Sequence, residues 1–203
     1  VGFAAELVDA THVVAALGGR EPDSHKYRNG SVLVVAGSAG KTGAALLSAN
    51  AALRSGAGVA TIATWPDAIT SIETRVLEIM THVIEPTAMR DSLGKALHKR
   101  SAVAIGPGLG LDAAARQLIE AVVIEWDGPV VVDADALSAF AGRGAQLTNA
   151  AGPRVLTPHA GELARLLGTS SAEVERDRCG TALAAAQLTG AVVVLKGPFS
   201  VIA

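Results

Sequence analysis

A single cysteine, Cys179, stands among 203 residues, so no internal disulfide framework can form, and a reducing cytoplasm is the expected setting. Aromatic side chains are almost as scarce, at three Phe, two Trp and one Tyr. The interior must therefore be built from Ala, Val, Leu and Ile packed closely between helices and sheet. No apolar run approaches the roughly 20 residues of a membrane-spanning helix, and nothing at the start reads as a signal peptide, so no membrane partner is expected. Basic runs are missing too. Seventeen Lys and Arg against nineteen Asp and Glu leave a net charge of -2, with no polyelectrolyte footprint for nucleic acid. There is no low-complexity linker and no internal repeat.

What is present is alternation. Strand-like runs at Val32–Ala36, Ala60–Thr64, Val83–Ile84, Ala102–Ile105, Val130–Asp133, Val155–Leu156 and Val192–Leu195 are separated by helical patterns. Pro66–Met80 places Ile69, Ile72, Val76 and Ile79 on one helical face. Asp112–Trp126 does the same with Leu118, Ile119, Val122 and Trp126. Ser170 with Glu173 is a capping-box signal for a helix running to Thr189, with Gly190 at its end. The closing Phe199–Ala203 reads as a further strand. An α/β fold with a mainly parallel sheet follows, its ligand crevice outside the carboxyl ends of the strands.

The loops at that edge carry the chemistry. Val32–Ala36 runs into Gly37-Ser-Ala-Gly-Lys-Thr-Gly43 and then a small-residue helix, an arrangement that exposes backbone amides to an anion. A triphosphate P-loop does not fit, since Val35 stands where that motif needs its first glycine. Glycines that serve only tight strand-to-helix packing are the alternative. Gly106-Pro-Gly-Leu-Gly110 misses the dinucleotide fingerprint spacing and taken alone is turn chemistry. Asp133 reads equally as a site acid, metal partner or hydroxyl acceptor and as a strand-end residue, while Asp135 is a candidate cap for Ala136–Ala141. His159, in Thr157-Pro-His-Ala-Gly-Glu162, sits at a helix start where an imidazole meets solvent or ligand. Lys196 closes an apolar strand, as a surface lysine or as a phosphate contact.

The order His25-Lys26, Val-Ala-Gly-Ser-x-Gly-x-Thr-Gly-Ala-Ala, Leu53-Arg-Ser-Gly-Ala-Gly58, Gly106-Pro-Gly-Leu-Gly110, Asp133-Ala-Asp-Ala-Leu137, Thr157-Pro-His-Ala-Gly-Glu162 and Val194-Leu-Lys-Gly197 resembles the ADP/ATP-dependent NAD(P)H-hydrate dehydratase family of the ribokinase-like superfamily. The resemblance implies a three-layer α/β/α fold over residues 24–203, with residues 1–23 as a lead-in. It implies repair of hydrated NADH or NADPH: the added hydroxyl is phosphorylated by ADP or ATP with Mg²⁺, and phosphate is then eliminated. Ala44, Gly108, Gly110, Asp133 and His159 are the implied hydrated-cofactor residues. Lys196, Gly197, Pro198, Phe199 and Ser200 are the implied nucleotide stretch. A homo-oligomer is expected, as is fusion to an N-terminal epimerase domain in the full-length protein.

The sequence also departs from the pattern. The family's Gly-Ser/Thr-Gly-Asp turn, with its catalytic base, falls beyond Ala203, so the expectation is a fragment that binds cofactor without turnover. Lys41 replaces a common methionine, and Pro198-Phe199 replaces smaller residues. A sugar or hydroxymethylpyrimidine kinase of the same superfamily, or a non-catalytic nucleotide-binding module, are the alternative readings.

Overall fold

The computed structural model describes residues 5–17 and 23–203, so the lead-in expected over 1–23 lies partly outside the described residues. Helix α1 (Ala10–Leu17) opens with the Asp9 carboxylate accepting the Thr11 amide at 2.9 Å, and it buries none of its side chains. From Ser31 onward strands and helices alternate: β1 (Ser31–Val35), α2 (Thr42–Arg54), β2 (Val59–Thr64), α3 (Pro66–Glu73), β3 (Met80–Val83), α4 (Met89–Leu97), β4 (Ala102–Ile105), α5 (Ala113–Glu120) and β5 (Val130–Val132). They continue with α6 (Asp135–Ala139), β6 (Arg154–Leu156), α7 (Ala160–Leu167), α8 (Ser171–Arg176), α9 (Arg178–Thr189), β7 (Val192–Leu195) and β8 (Val201–Ile202).

The strands form one sheet in the order β3-β2-β1-β4-β5-β6-β7-β8. Pairings from β3 to β7 are parallel, and only β8 runs antiparallel to its neighbour. The order reverses at β1, which lies between β2 and β4, so the crevice of this topology opens between the loops after β1 and β4.

Strand alternation sends Leu33, Val35, Val103, Ile105, Val130, Val132, Leu156, Val193 and Leu195 to one face, where they meet buried residues of α4, α5, α6, α7 and α9. Val34, Ala36, Ala60 and Ile62 face the other way, against Ala45 and Ala49 of α2 and Ile72 of α3. These are the outer layers of the expected α/β/α sandwich. Alanine lets helix backbones approach the sheet closely, which a core poor in aromatics requires. Register places Val34, Ala104, Val131, Val155 and Val192 in one row on the second face. Toward the β5–β8 edge that row is open, with Val131 39% and Val192 46% exposed.

The largest departures from the sequence reading lie in α3, β3 and α8–α9, and the closing strand expected over Phe199–Ala203 is limited to Val201–Ile202. The helix expected over Pro66–Met80 ends at Glu73, and Met80 opens β3, because Met80–Val83 pairs with Thr61–Thr64 at the sheet edge. Ile79 is buried all the same, from the connecting turn, and β3 begins earlier than Val83. The single helix expected from Ser170 to Thr189 breaks at Asp177, whose carboxylate accepts the Gly180 amide at 2.9 Å and so caps a new helix. An aspartate that bonds nearby backbone competes with helix continuation. The capping box at Ser170 and Glu173, and Gly190 at the end, are where expected.

Candidate active site

The two glycine-rich turns flanking the switch point are locked together. Gly37, at φ +82°, donates its amide to the Pro107 carbonyl at 2.9 Å. Ser38 Oγ donates to the Gly108 carbonyl at 2.8 Å, and the Trp65 indole to the Leu109 carbonyl at 2.9 Å. The glycines fall into two sets, those packed against neighbouring chain and those with open space beside them. A Cβ on Gly106 would stand 1.9 Å from the Asp133 carbonyl, and one on Gly108 2.9 Å from Lys41 Cβ and 3.4 Å from Ala44 Cβ. Those two permit close approach, and the second brings Gly108 against Ala44. At Gly40, Gly43 and Gly110 the same atom would meet nothing within 4 Å. Gly40 and Gly43 flank the first turn of α2, where the Thr42 and Gly43 amides have no carbonyl four residues back to accept them. Donors and helix dipole together suit an anion there.

The second half of the edge is built on β5, β6 and β7. Between Asp133 and Asp135, Ala134 takes φ 50° and ψ -118°, a conformation that L side chains rarely adopt. The kink sends the two carboxylates to different partners. Asp135 Oδ2 accepts the Gly110 amide at 2.9 Å, and Asp133 Oδ1 receives Lys196 Nζ at 2.7 Å. Asp135 is thus the first residue of α6, holding the β4 loop, and not the cap of a helix over Ala136–Ala141.

His159 is the N-cap of α7. Its Nδ1 accepts the Gly161 amide at 3.0 Å and the Glu162 amide at 3.4 Å, while its own amide donates to Glu162 Oε2 at 2.8 Å. The ring stays 56% exposed, whereas the Glu162 carboxylate beneath it is 8% exposed and lies 3.8 Å from Lys196 Nζ. The Lys196 amide donates to the Pro158 carbonyl at 2.8 Å, tying the His159 loop to the end of β7. Lys196, Gly197, Pro198, Phe199 and Ser200 form the turn into β8, with the Phe199 ring 85% exposed.

Ala44, in the first turn of α2, and Gly108, Gly110, Asp133, His159 and Lys196, in the loops, therefore lie at one edge of the sheet, where the Asp135 side chain holds Gly110 and the Glu162 side chain neighbours His159 and Lys196. Sequence reasoning missed the roles of both. A histidine cap does not match the Ser/Thr capping signature, and the Asp135 contact spans 25 residues, beyond any local pattern. Arg178 was missed as well. Its guanidinium reaches the Lys196 turn from the start of α9, donating to the carbonyls of Leu195, Lys196 and Phe199. The paired segments His25-Lys26 and Leu53–Gly58 are not part of this edge. A Cβ on Gly58 would stand 1.7 Å from the Lys26 carbonyl, at the amino ends of β1 and β2, so that pairing is structural. No cluster of three His, Cys, Asp or Glu side chains able to hold a metal occurs among the described residues.

Comparison with known proteins agrees with this architecture. Residues 32–203 match the Carb_kinase family profile, described as NAD(P)H-hydrate dehydratase. The chain is 42% identical over 208 residues to the bifunctional NAD(P)H-hydrate repair enzyme Nnr of Moorella thermoacetica, covering 99% of this chain and 39% of that protein. Against the Escherichia coli protein of the same name the identity is 39%, over 91% of this chain and 34% of the relative. The chain thus spans somewhat over a third of the length of these relatives. Among solved structures, the ADP/ATP-dependent NAD(P)H-hydrate dehydratase of Bacillus subtilis, co-crystallised with ATP and Mg²⁺, superposes with a TM-score of 0.79 at 36% identity, over 95% of this chain and 67% of that one. A ribokinase-like superfamily protein of Enterococcus faecalis gives 0.76 at 27% identity, over 91% of this chain and 63% of that one. With a profile match over most of its length, the chain belongs to the NAD(P)H-hydrate dehydratase family.

Proposed function

We propose that residues 24–203 form a domain that binds hydrated NADH or NADPH together with ADP or ATP, and that it serves their dehydration by phosphoryl transfer and elimination. The observation that carries this reading is the open backbone of Gly40 and Gly43 at the α2 N-terminus, at the same sheet edge as the Lys196 ammonium. Two separated phosphate-accepting features suit two phosphorylated ligands better than one.

The roles follow from the geometry. Amides of the first turn take the pyrophosphate of the hydrated cofactor, with Ala44, Gly108 and Gly110 shaping the wall. The exposed His159 ring contacts the cofactor from the α7 side. Lys196 keeps Asp133 and Glu162 as neighbours and still has ammonium protons to offer a nucleotide phosphate. Mg²⁺ needs no protein cage of its own when nucleotide oxygens supply its ligands. Bound there, it supplies charge neutralisation on the transferred phosphoryl oxygens. Asp133 is held by Lys196 and Asp135 by the Gly110 amide, so neither stands free as a general base.

The test titrates the chain with Mg²⁺–ADP, Mg²⁺–ATP and NADPH, then follows dihydropyridine absorbance from NADH hydrate with nucleotide added last. Phosphorylation of a sugar or pyrimidine alcohol, with no binding of NADPH, would transfer the chain to the small-molecule kinases of the superfamily. The reading includes a homo-oligomer, which light scattering checks, and a cytoplasmic setting joined to an epimerase domain, as the name "bifunctional" of its relatives supports. No helix among the described residues is long and apolar enough to cross a membrane.

A further inference from the structure

We propose that Arg178 is a positioning residue for the nucleotide: its guanidinium sets the turn after β7 so that the Gly197 and Ser200 amides and the Lys196 ammonium face the ligand. The inference rests on the nucleotide assignment made above for this turn. Arg178 is the first residue of α9, and the helix break at Asp177 brings its side chain to the end of β7. One nitrogen, Nη2, donates to the carbonyls of Leu195 at 3.1 Å, Lys196 at 3.1 Å and Phe199 at 3.2 Å. The other, Nη1, bonds both oxygens of Glu175 at 3.0 Å, which fixes the plane of the fork. The arginine side chain is 18% exposed.

Peptide planarity turns those carbonyls into information about amides. In a trans peptide the carbonyl of one residue and the amide of the next point in opposite directions. Drawing the Leu195 carbonyl to Arg178 directs the Lys196 amide away, and it does meet the Pro158 carbonyl, at 2.8 Å. By the same rule the Lys196 and Phe199 carbonyls direct the Gly197 and Ser200 amides away from the guanidinium. Neither of these two amides has an acceptor among the described residues. Two free amides and an ammonium on one turn are the donor set a phosphate takes.

Gly197 carries independent weight. A Cβ there would stand 2.5 Å from Arg178 Nη2 and 2.9 Å from its Cζ, so glycine is required by the seated guanidinium and not by backbone torsion. The turn and the arginine fit as one unit.

The experiment measures calorimetric affinity for Mg²⁺–ADP and separately for NADPH, with melting temperature, in the wild-type chain, Arg178→Met, Gly197→Ala and the double variant. Each single variant is expected to weaken Mg²⁺–ADP by about tenfold or more, with NADPH affinity unchanged. The double variant should bind no more weakly than Arg178→Met, because alanine at 197 acts through the same guanidinium. Arg178→Lys keeps the charge but loses the fork, and should recover only part of the affinity. Unchanged Mg²⁺–ADP affinity in both single variants overturns the proposal, as does an equal loss for both ligands with a lowered melting temperature. If Arg178→Met does not fold, Gly197→Ala decides alone, since the atoms nearest its methyl belong to the Arg178 side chain and not to backbone. A wild-type chain that binds NADPH but no Mg²⁺–ADP overturns the nucleotide assignment, and this proposal with it.

Discussion

Lys196 Nζ lies 2.7 Å from Asp133 Oδ1, joining the ends of β7 and β5 across the strand between them. The pair is 43% and 30% exposed, so solvent screening leaves it worth under about 1 kcal/mol of stability. Its effect is orientation. A lysine that would otherwise sample many rotamers is held over the crevice, with Glu162 as a second carboxylate neighbour.

Replacing Lys196 with Met should therefore separate binding from stability. Mg²⁺–ADP affinity should fall by about tenfold, the value of one charge-assisted phosphate contact, while NADPH affinity holds. The melting temperature should move by no more than about 2 °C. Calorimetric titration and a thermal melt check both, and equal weakening of the two ligands would count against separate subsites.

His159 needs two substitutions to be read. As the N-cap of α7 it contributes to folding, so His159→Ala should lower stability by about 1 kcal/mol, or roughly 2–4 °C for a chain of this size. Asparagine is a good cap without an imidazole. His159→Asn should recover the melting temperature yet keep the weakened NADPH binding. Full recovery of both would assign the histidine to capping alone.

Ala134→Gly should raise stability, or at worst leave it unchanged. Relief of the positive-φ conformation returns about 1–3 kcal/mol, against a backbone entropy cost of about 0.5–1 kcal/mol for glycine. A melt scored with and without NADPH checks it. A lower melting temperature would mean that the methyl is doing packing that outweighs the strain.

Three carboxylates, Asp9, Glu125 and Glu173, are held below their ordinary values, and Glu173 is lowered far. The Thr169 hydroxyl first, then the Ser170 amide and hydroxyl, hold Glu173 down from its ordinary value of 4.5 to about 2. A depressed carboxylate stabilises the fold above its unfolded value and loses that contribution as pH falls toward the folded one, here between about 4.5 and about 2. Glutamine keeps a capping partner without a titrating proton. Glu173→Gln should flatten melting temperature against pH across that window, and a curve parallel to the wild type would assign acid sensitivity elsewhere.

Much of this architecture is legible before any coordinates. Apolar runs such as Ala102–Ile105 and Val192–Leu195 become strands with those bounds because alternate residues, Val103, Ile105, Val193 and Leu195, are buried on one face of a mainly parallel sheet. The loops after them inherit a common edge from parallel topology alone, which is why Gly108, Asp133, His159 and Lys196 could be named as neighbours despite distant numbers. The unread part is long-range. The break at Asp177 depends on one side chain choosing backbone over helix, and the β3 start depends on an edge partner. Arg178 has no local signature because its acceptors lie 17 to 21 residues away.

The position of β1 between β2 and β4 sets a timetable for the newborn chain. Its first neighbour comes soon, but its second waits for Ala102–Ile105, and only then can Ser38 find Gly108, 70 residues downstream. The glycine turns are thus complete once the chain has been made through Asp135, whose carboxylate holds the Gly110 amide, whereas Lys196 follows 61 residues later (196 - 135). At ribosomal speeds of about 5–20 residues per second, that leaves roughly 3–12 s in which the amide-lined turns exist without their cation.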